Sequence, residues 1–249
     1  MERFDEISAA GTNRDLAALR FMLNFGMHIG HLQRNPVKGV RFLKEGPGSM
    51  RIVSHEEEEA YLAAANPLLR DLAVLILETG MRPQEVYEAE KANVHLEQQY
   101  LFVPRGKTKS ARRNIPLTKR AGEVLGRRMQ ATKGRYLFPH RSDPKRPMGA
   151  LHHSHYKVFE QTGREKFRIY DLRHSYGSRS AMAGVDLPTL KELMGHSTIT
   201  ITMRYIHPTP EHKRRAIEKL EQFNAEQVIA LADKGQGSPQ KSPQSVRVQ

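Results

Sequence analysis

A chain of 249 residues with 38% hydrophobic content holds one large domain, or one domain with a smaller appendage. Forty Lys and Arg against 27 Asp and Glu leave a formal charge of +13, a field that draws polyanions, nucleic acid foremost. Disulfides and thiolate metal sites are excluded by the lack of any Cys. No apolar run of a secretory signal opens the chain at "MERFDEISAA", and the most apolar window, Leu68 to Leu77, is broken by Arg70 and Asp71 and is too short for a bilayer. The default location is therefore the cytoplasm, at the nucleoid.

Leu16, Leu19, Leu23 and Met27 recur at helical spacing, so residues 12–30 are predicted as a helix that Asn35-Pro36 ends. "KEGPGSMR" (44–51) has linker composition and marks a domain boundary. Ser54 with Glu57 forms a capping-box pattern that opens a helix through Ala65. Asn66-Pro67 restarts the chain into "LLRDLAVLILETG", which is apolar nearly all round and so predicts a central buried helix stopped by Gly80. Pro83 sits where a first helical residue belongs, with "RPQEVYEAEKA" as the helix and Arg82 at its edge. "YLFVP", the basic turn "RGKTKSARR" and "NIPL" read as a small antiparallel sheet. Helices follow over "TKRAGEVLGRRMQ", "GALHHSHYKVFEQTG", "DLRHSYGSRSAMAG" and, capped by Asp186, "DLPTLKELMGH"; "YLFP" is a short extended piece. An amphipathic helix over 211–223 carries Ile217, Leu220 and Phe223, and the polar tail is predicted to be disordered from about 233. The fold class is mainly α with a small antiparallel sheet.

Four cationic clusters and one Tyr stand out: Arg82 in "TGMRPQEV", Lys107 in "RGKTKSARRNIPL", Arg173 in "YDLRHSYGS", and His196 with Tyr205 in "LMGHSTITITMRYIH". Each alone has an ordinary structural explanation. Together and in this order they resemble the catalytic domain of the tyrosine recombinases, the phage integrase family. His196 follows Arg173 by 23 residues and Tyr205 follows His196 by nine, both of which match. The resemblance covers roughly residues 52–220 and implies a catalytic domain over 54–224. It also implies a linker at 46–53 and, before it, the end of a helical core-binding domain over 1–45.

The resemblance implies that Arg82 and Arg173 grip a phosphodiester, a task suited to guanidiniums, which are always charged and bind two oxygens at once. Glu85 lies three residues past Arg82 on the same helical face and is placed to hold it. Tyr205 is the nucleophile of a 3′-phosphotyrosyl bond, Lys107 the acid for the leaving 5′-oxygen, and His196 a phosphate or proton partner. Lys109 competes with Lys107 for the acid role; otherwise Lys109, Arg112 and Arg113 are DNA-backbone contacts. Because the covalent link conserves the bond energy, no cofactor is implied. The partner is double-stranded DNA, with a homotetramer at synapsis and the final helix docking on a neighbouring protomer. Neither a membrane nor a small-molecule substrate is expected.

One position departs from the pattern. The first His of His-x-x-Arg is Tyr170, which stays a catalytic-site candidate as a neutral hydrogen-bond donor to the phosphate but is no imidazole base. The neighbouring His174 projects about 100° from Arg173 on a helix, so it is assigned to structure. His152, His153 and His155 have no carboxylate nearby to complete a metal site, and none is expected. Two rivals stay open: a type IB topoisomerase and a catalytically silent DNA-binding relative.

Overall fold

The computed structural model describes residues 8–46, 50–104, 111–206 and 210–235, with side chains in the last stretch described for 210 and 213–227. The chain divides into two compact units, Met1–Arg51 and Ile52–Gln249.

In the first unit, helix α1 (Ala9–His28) starts at Ser8, whose hydroxyl accepts the Gly11 N–H at 3.1 Å. The returning segment is tied on by Asn13, which donates to the Leu43 carbonyl at 2.9 Å and accepts from its N–H at 2.8 Å. Leu16 and Leu23 are half-covered; Phe21, Met22 and Phe25 face outward. A single helix with one strap has no second layer to close the stripe.

The second unit is built around α3 (Pro67–Thr79). Its N-cap Asn66 accepts from Leu69 N–H, Pro67 opens the first turn, and Gly80 closes the helix at φ 63°. Leu69, Leu72, Ala73, Leu75 and Ile76 are essentially inaccessible, which is why the sequence is apolar on nearly every face. α3 packs on α5 (Lys119–Ala131) and α7 (Ile169–Met182), while α2 (His55–Ala64), opened by the Ser54–Glu57 capping box, packs on α6 (His152–Thr162).

The predicted helix after Pro83 is cut short. α4 spans Pro83–Tyr87 only, and Lys91–Asn93 form a 3-10 turn. Val86, Tyr87 and Ala89 are needed in the core, and the chain then has to extend into the sheet. That sheet has three antiparallel strands in the order β1 (Val94–His95), β2 (Tyr100–Val103), β3 (Arg113–Pro116), with Val103 opposite Arg113 and Tyr100 opposite Pro116. The tip that joins β2 to β3, with Lys107 and Lys109, lies outside the described residues.

α8 (Leu187–Met194) is capped by Asp186 and closed by Gly195 at φ 64°. A five-residue helix α9 (Ile199–Met203) leads to Tyr205, and α10 runs over Pro210–Gly235. It thus extends two residues past the expected start of the polar tail; residues 236–249 lie outside the described set. Ile217, Leu220 and Phe223 on α10 are exposed. No helix among the described residues is long and apolar enough to cross a membrane.

Candidate active site

Three guanidiniums converge on the end of α8. Arg113 Nε donates to the Leu193 carbonyl at 2.7 Å, Arg173 Nη2 to that of Met194 at 2.7 Å, and Arg82 Nη2 to that of Gly195 at 3.1 Å. The last carbonyls of a helix lack intrahelical partners and carry its negative dipole end. Successive carbonyls there hold three arginines that come from β3, α7 and the edge of α4.

Their mutual repulsion is met by one side chain. Glu85 Oε1 accepts from Arg82 Nη1 at 2.9 Å, and Oε2 pairs with Arg113 Nη2 at 2.9 Å. Burial by itself would raise the Glu85 carboxyl; hydrogen bonding and charge from Arg113, then Arg82, outweigh it and hold the pKa below the ordinary value. Arg173 is wholly inaccessible, and burial followed by the charge of Arg82 pulls it down to about 10, so it stays a cation at neutral pH. Its Nη1 donates to the Gly80 carbonyl, but its buried Nε–H has no acceptor among the described residues. Three cations against one carboxylate, with a donor unspent, make a site short of negative charge.

His196 and Tyr205 flank it. His196 is buried, its Nδ1 lies 2.9 Å from Thr202 Oγ1, and its ring stacks on Tyr205 at 5.9 Å and 7°. Burial, then Arg173, Arg82 and Arg113, push the imidazole down to about 3, so it is neutral. Tyr205 is 5% exposed. Burial raises its phenol above the ordinary value, and the Arg173 charge opposes the rise. Gly177 of α7 admits the ring, since a Cβ there would stand 2.8 Å from Tyr205 Cδ1.

Arg82, Glu85, Arg173, His196 and Tyr205 are thus brought together from positions spread over more than a hundred residues. Tyr170, at the start of α7, is 39% exposed, and its ring centroid lies 5.0 Å from that of His174 with the planes at 71°. Arg112 is exposed and lies over the Phe102 ring at 5.4 Å. It shares with Arg113, Lys191 and His196 the wall of an open cavity of about 560 Å³.

One assignment changes, and a second residue gains an unforeseen partner. Arg113 was expected to contact DNA backbone; its side chain is 6% exposed and is spent on Glu85, Leu193 and Ala111. The reason is strand alternation: residues two apart share a face, and Arg113 therefore points inward with Ile115. His174, assigned to structure, has Nδ1 3.0 Å from the Tyr205 hydroxyl. The 100° offset from Arg173 is real, but Tyr205 comes to that other face. Among the described residues no group of His, Cys, Asp and Glu is placed to hold a metal ion.

The description "Phage integrase family" fits residues 51–212, well over half the chain. The chain belongs to the phage integrase family. It is 27% identical over 234 residues to the tyrosine recombinase XerD of Listeria monocytogenes serotype 4b, a match that covers 87% of this chain and 77% of that one. To the integrase of Escherichia phage P2 it is 29% identical over 225 residues, covering 86% of this chain and 60% of that one. Solved relatives share the fold. A Tn1549 transposon integrase in complex with circular intermediate DNA superposes with a TM-score of 0.68 at 20% identity, covering 87% of this chain and 81% of that chain. A lambda integrase dimer bound to a COC′ core site gives 0.64 at 19%, covering 79% and 59%. Membership in this family makes the chain a site-specific recombinase, and neither the topoisomerase nor the silent DNA-binding alternative is favoured.

Proposed function

We propose that this integrase-family chain cuts and rejoins DNA strands through a covalent bond between Tyr205 and a 3′-phosphate. The observation that carries the reading is the convergence of Arg82, Arg113 and Arg173 on consecutive carbonyls with Glu85 alone, among the described residues, to balance them. A phosphodiester supplies the missing negative charge. Its nonbridging oxygens take the free donors of Arg82, which Glu85 fixes before the reaction starts, and the orphaned Nε–H of Arg173, which is covered in the unliganded chain and is reached once the residues over it give way. With Nδ1 of the neutral His196 engaged by Thr202, Nε2 is the nitrogen left to face the phosphate, and it donates there in the tautomer whose Nδ1 accepts the Thr202 hydroxyl. Arg113 touches no phosphate in this reading; it holds Glu85, which holds Arg82.

Tyr205 Oη attacks phosphorus, the 5′-oxygen leaves with the bonding pair and takes a proton from Lys107, and a 5′-hydroxyl of a second strand reverses the step. Double-stranded DNA is the partner, four protomers assemble at synapsis, and the protein works at the nucleoid. The domain limits of the sequence reading, a partial core-binding domain over 1–45 and a catalytic domain over 54–224, belong to the same proposal.

A nicked suicide duplex tests it. Wild type should form a DNA adduct stable to denaturation, and Tyr205→Phe should form none. Exchange of strands between two labelled duplexes then identifies a recombinase; relaxation of supercoils without exchange identifies a topoisomerase. Absence of any wild-type adduct would overturn the reading.

A further inference from the structure

Loss of a proton from Tyr205 needs an acceptor, and the position that the family pattern gives to an imidazole is Tyr170. His196 is poorly suited: its ring stacks face to face on Tyr205 at 5.9 Å, and its Nδ1 is engaged by Thr202. One nitrogen does address the phenol oxygen, Nδ1 of His174 at 3.0 Å. We propose that His174 is the proton acceptor of Tyr205, and that Tyr170, one helical turn earlier on α7, is its brace. This inference rests on Tyr205 being the nucleophile.

The geometry fits the task. A nucleophile and its base within hydrogen-bond reach, with the base oriented by a third group, is the general arrangement of activated nucleophiles. Here the third group is the Tyr170 ring, edge-on to the imidazole at 5.0 Å and 71°. Residues i and i+4 of a helix face each other, so a Tyr at 170 is placed to support a His at 174. Gly177 completes the cradle by letting the Tyr205 ring lie against α7.

Charge around His174 selects its neutral form. On its own helix it faces Asp171, which favours the imidazolium, and Arg168 and Arg173, which oppose it; from the Tyr205 segment comes Arg204, also opposing, and His196 lies beyond the Tyr205 ring. Burial is the largest influence, and the pKa falls below the ordinary value. A neutral imidazole is what an acceptor has to be before the reaction. When a phosphodiester enters, its charge offsets that of Arg173 and the imidazolium becomes easier to form. The step balances: the Oη–H bond breaks as Nδ1–H forms, Oη–P forms as P–O5′ breaks, and the 5′-oxygen receives its proton from the acid of the site. Rejoining returns the proton from Nδ1 to Oη.

Two measurements on the full chain decide it. In the first, imidazole ¹⁵N NMR of the wild type should find His174 with Nε2 protonated and Nδ1 bare, titrating below about 6.5, the unperturbed histidine value. A proton resident on Nδ1 at neutral pH would overturn the assignment. The second uses nicked duplexes recovered by covalent capture on the wild type from a pool with a randomised centre. His174→Asn keeps an acceptor near the Nδ1 position but cannot take a proton. It should slow adduct formation by about 100-fold or more, the lower range for general-base catalysis, and abolish the rise in rate that wild type shows as pH climbs toward about 6.5, the unperturbed histidine value. Tyr170→Ala removes the brace and should slow adduct formation by about 10-fold, and Tyr170→Phe, which keeps the ring, should restore most of that loss. Captured duplexes with His174→Asn as fast as wild type, at the same pH profile, would overturn the inference and leave the recombinase reading intact. A wild type that captures nothing overturns the recombinase reading instead, and the NMR result then decides the His174–Tyr205 pairing alone.

Discussion

Among the described residues two His–Tyr pairs, one buried and one part-buried, are joined through the same ring nitrogen. Tyr61 Oη lies 2.7 Å from His155 Nδ1, and Tyr205 Oη lies 3.0 Å from His174 Nδ1. The hydrogen bonds are alike; the surroundings are not. His155 spends its other nitrogen on the Phe167 carbonyl at 2.7 Å and is ringed by Tyr61, Phe159 and Phe167. That pair is saturated and apolar, and it joins α2 to α6. His174 and Tyr205 stand in the field of Arg173 and Arg204, next to a guanidinium with an unspent donor. A histidine bonded to a tyrosine is therefore no sign of chemistry by itself. Uncompensated positive charge beside the pair is what separates a reactive phenol from a packing one.

The largest effect should come from exchanging one oxygen in each pair. Tyr205→Phe should abolish the DNA adduct and leave thermal stability nearly unchanged. Tyr61→Phe should do the reverse: adduct formation stays within about twofold, while stability drops by about 1–3 kcal/mol because a buried ring nitrogen loses its partner. Parallel melting and adduct assays on the two variants check this, and equal loss of adduct in both would erase the distinction.

Next in size is the balance of charge. Glu85→Gln leaves Arg113, 6% exposed, with its cation unpaired. Removing one partner of a buried pair costs about 3–5 kcal/mol. Urea unfolding should register that loss, and adduct formation should fall with it because Arg82 loses its anchor. The matching change at a surface pair, Arg164→Gln opposite the 80%-exposed Glu56, should alter stability by no more than about 1 kcal/mol.

A smaller effect is expected from the cradle. Gly177→Ala places a methyl group 2.8 Å from the Tyr205 ring. The ring has to withdraw by a fraction of an ångström, and misplacement of a reacting group on the scale of 1 Å costs up to about 100-fold in rate. Adduct formation should slow by about 10- to 100-fold with little change in melting, while Gly122→Ala on α5, where a Cβ meets nothing within 4 Å, should change neither.

Much of the frame around these sites was legible in the chain. Ser54, Asn66, Gly80 and Asp186 punctuate helices by local chemistry, and local chemistry is readable from a few neighbouring residues. The ordered Arg, Arg, His, Tyr set was legible for the same reason, as short phrases with fixed spacing. Facts set by distant partners were not. The outward arginine of "RNIP" could have been corrected by counting in twos from Ile115, a signal present but overridden by the basic run around it. His174 had no such signal: its partner lies 31 residues on, and a helical wheel says only that it leaves the Arg173 face, not what waits on the other. α4 ended early for a similar reason, since the need for Tyr87 and Ala89 in the core is a property of the packed unit.

The smallest effect separates the pairs by pH. His155, His174 and His196 all have pKa values below the ordinary one, with burial the largest cause in each. A histidine of that kind binds a proton more readily in the unfolded chain. Its contribution to stability is complete above the unfolded value of about 6.5 and is lost as pH falls toward the folded value. For His196 the window runs from about 6.5 down to about 3. At pH 6.0 one such histidine has given up about 0.8 kcal/mol relative to pH 7.5. Denaturant titrations over that interval should show stability declining in the wild type and His196→Asn declining less by about that amount. His155→Asn should flatten the same slope without touching the pH profile of adduct formation, whereas His174→Asn should flatten both. A histidine that moves only the stability slope takes no proton in the reaction; one that also moves the rate profile does.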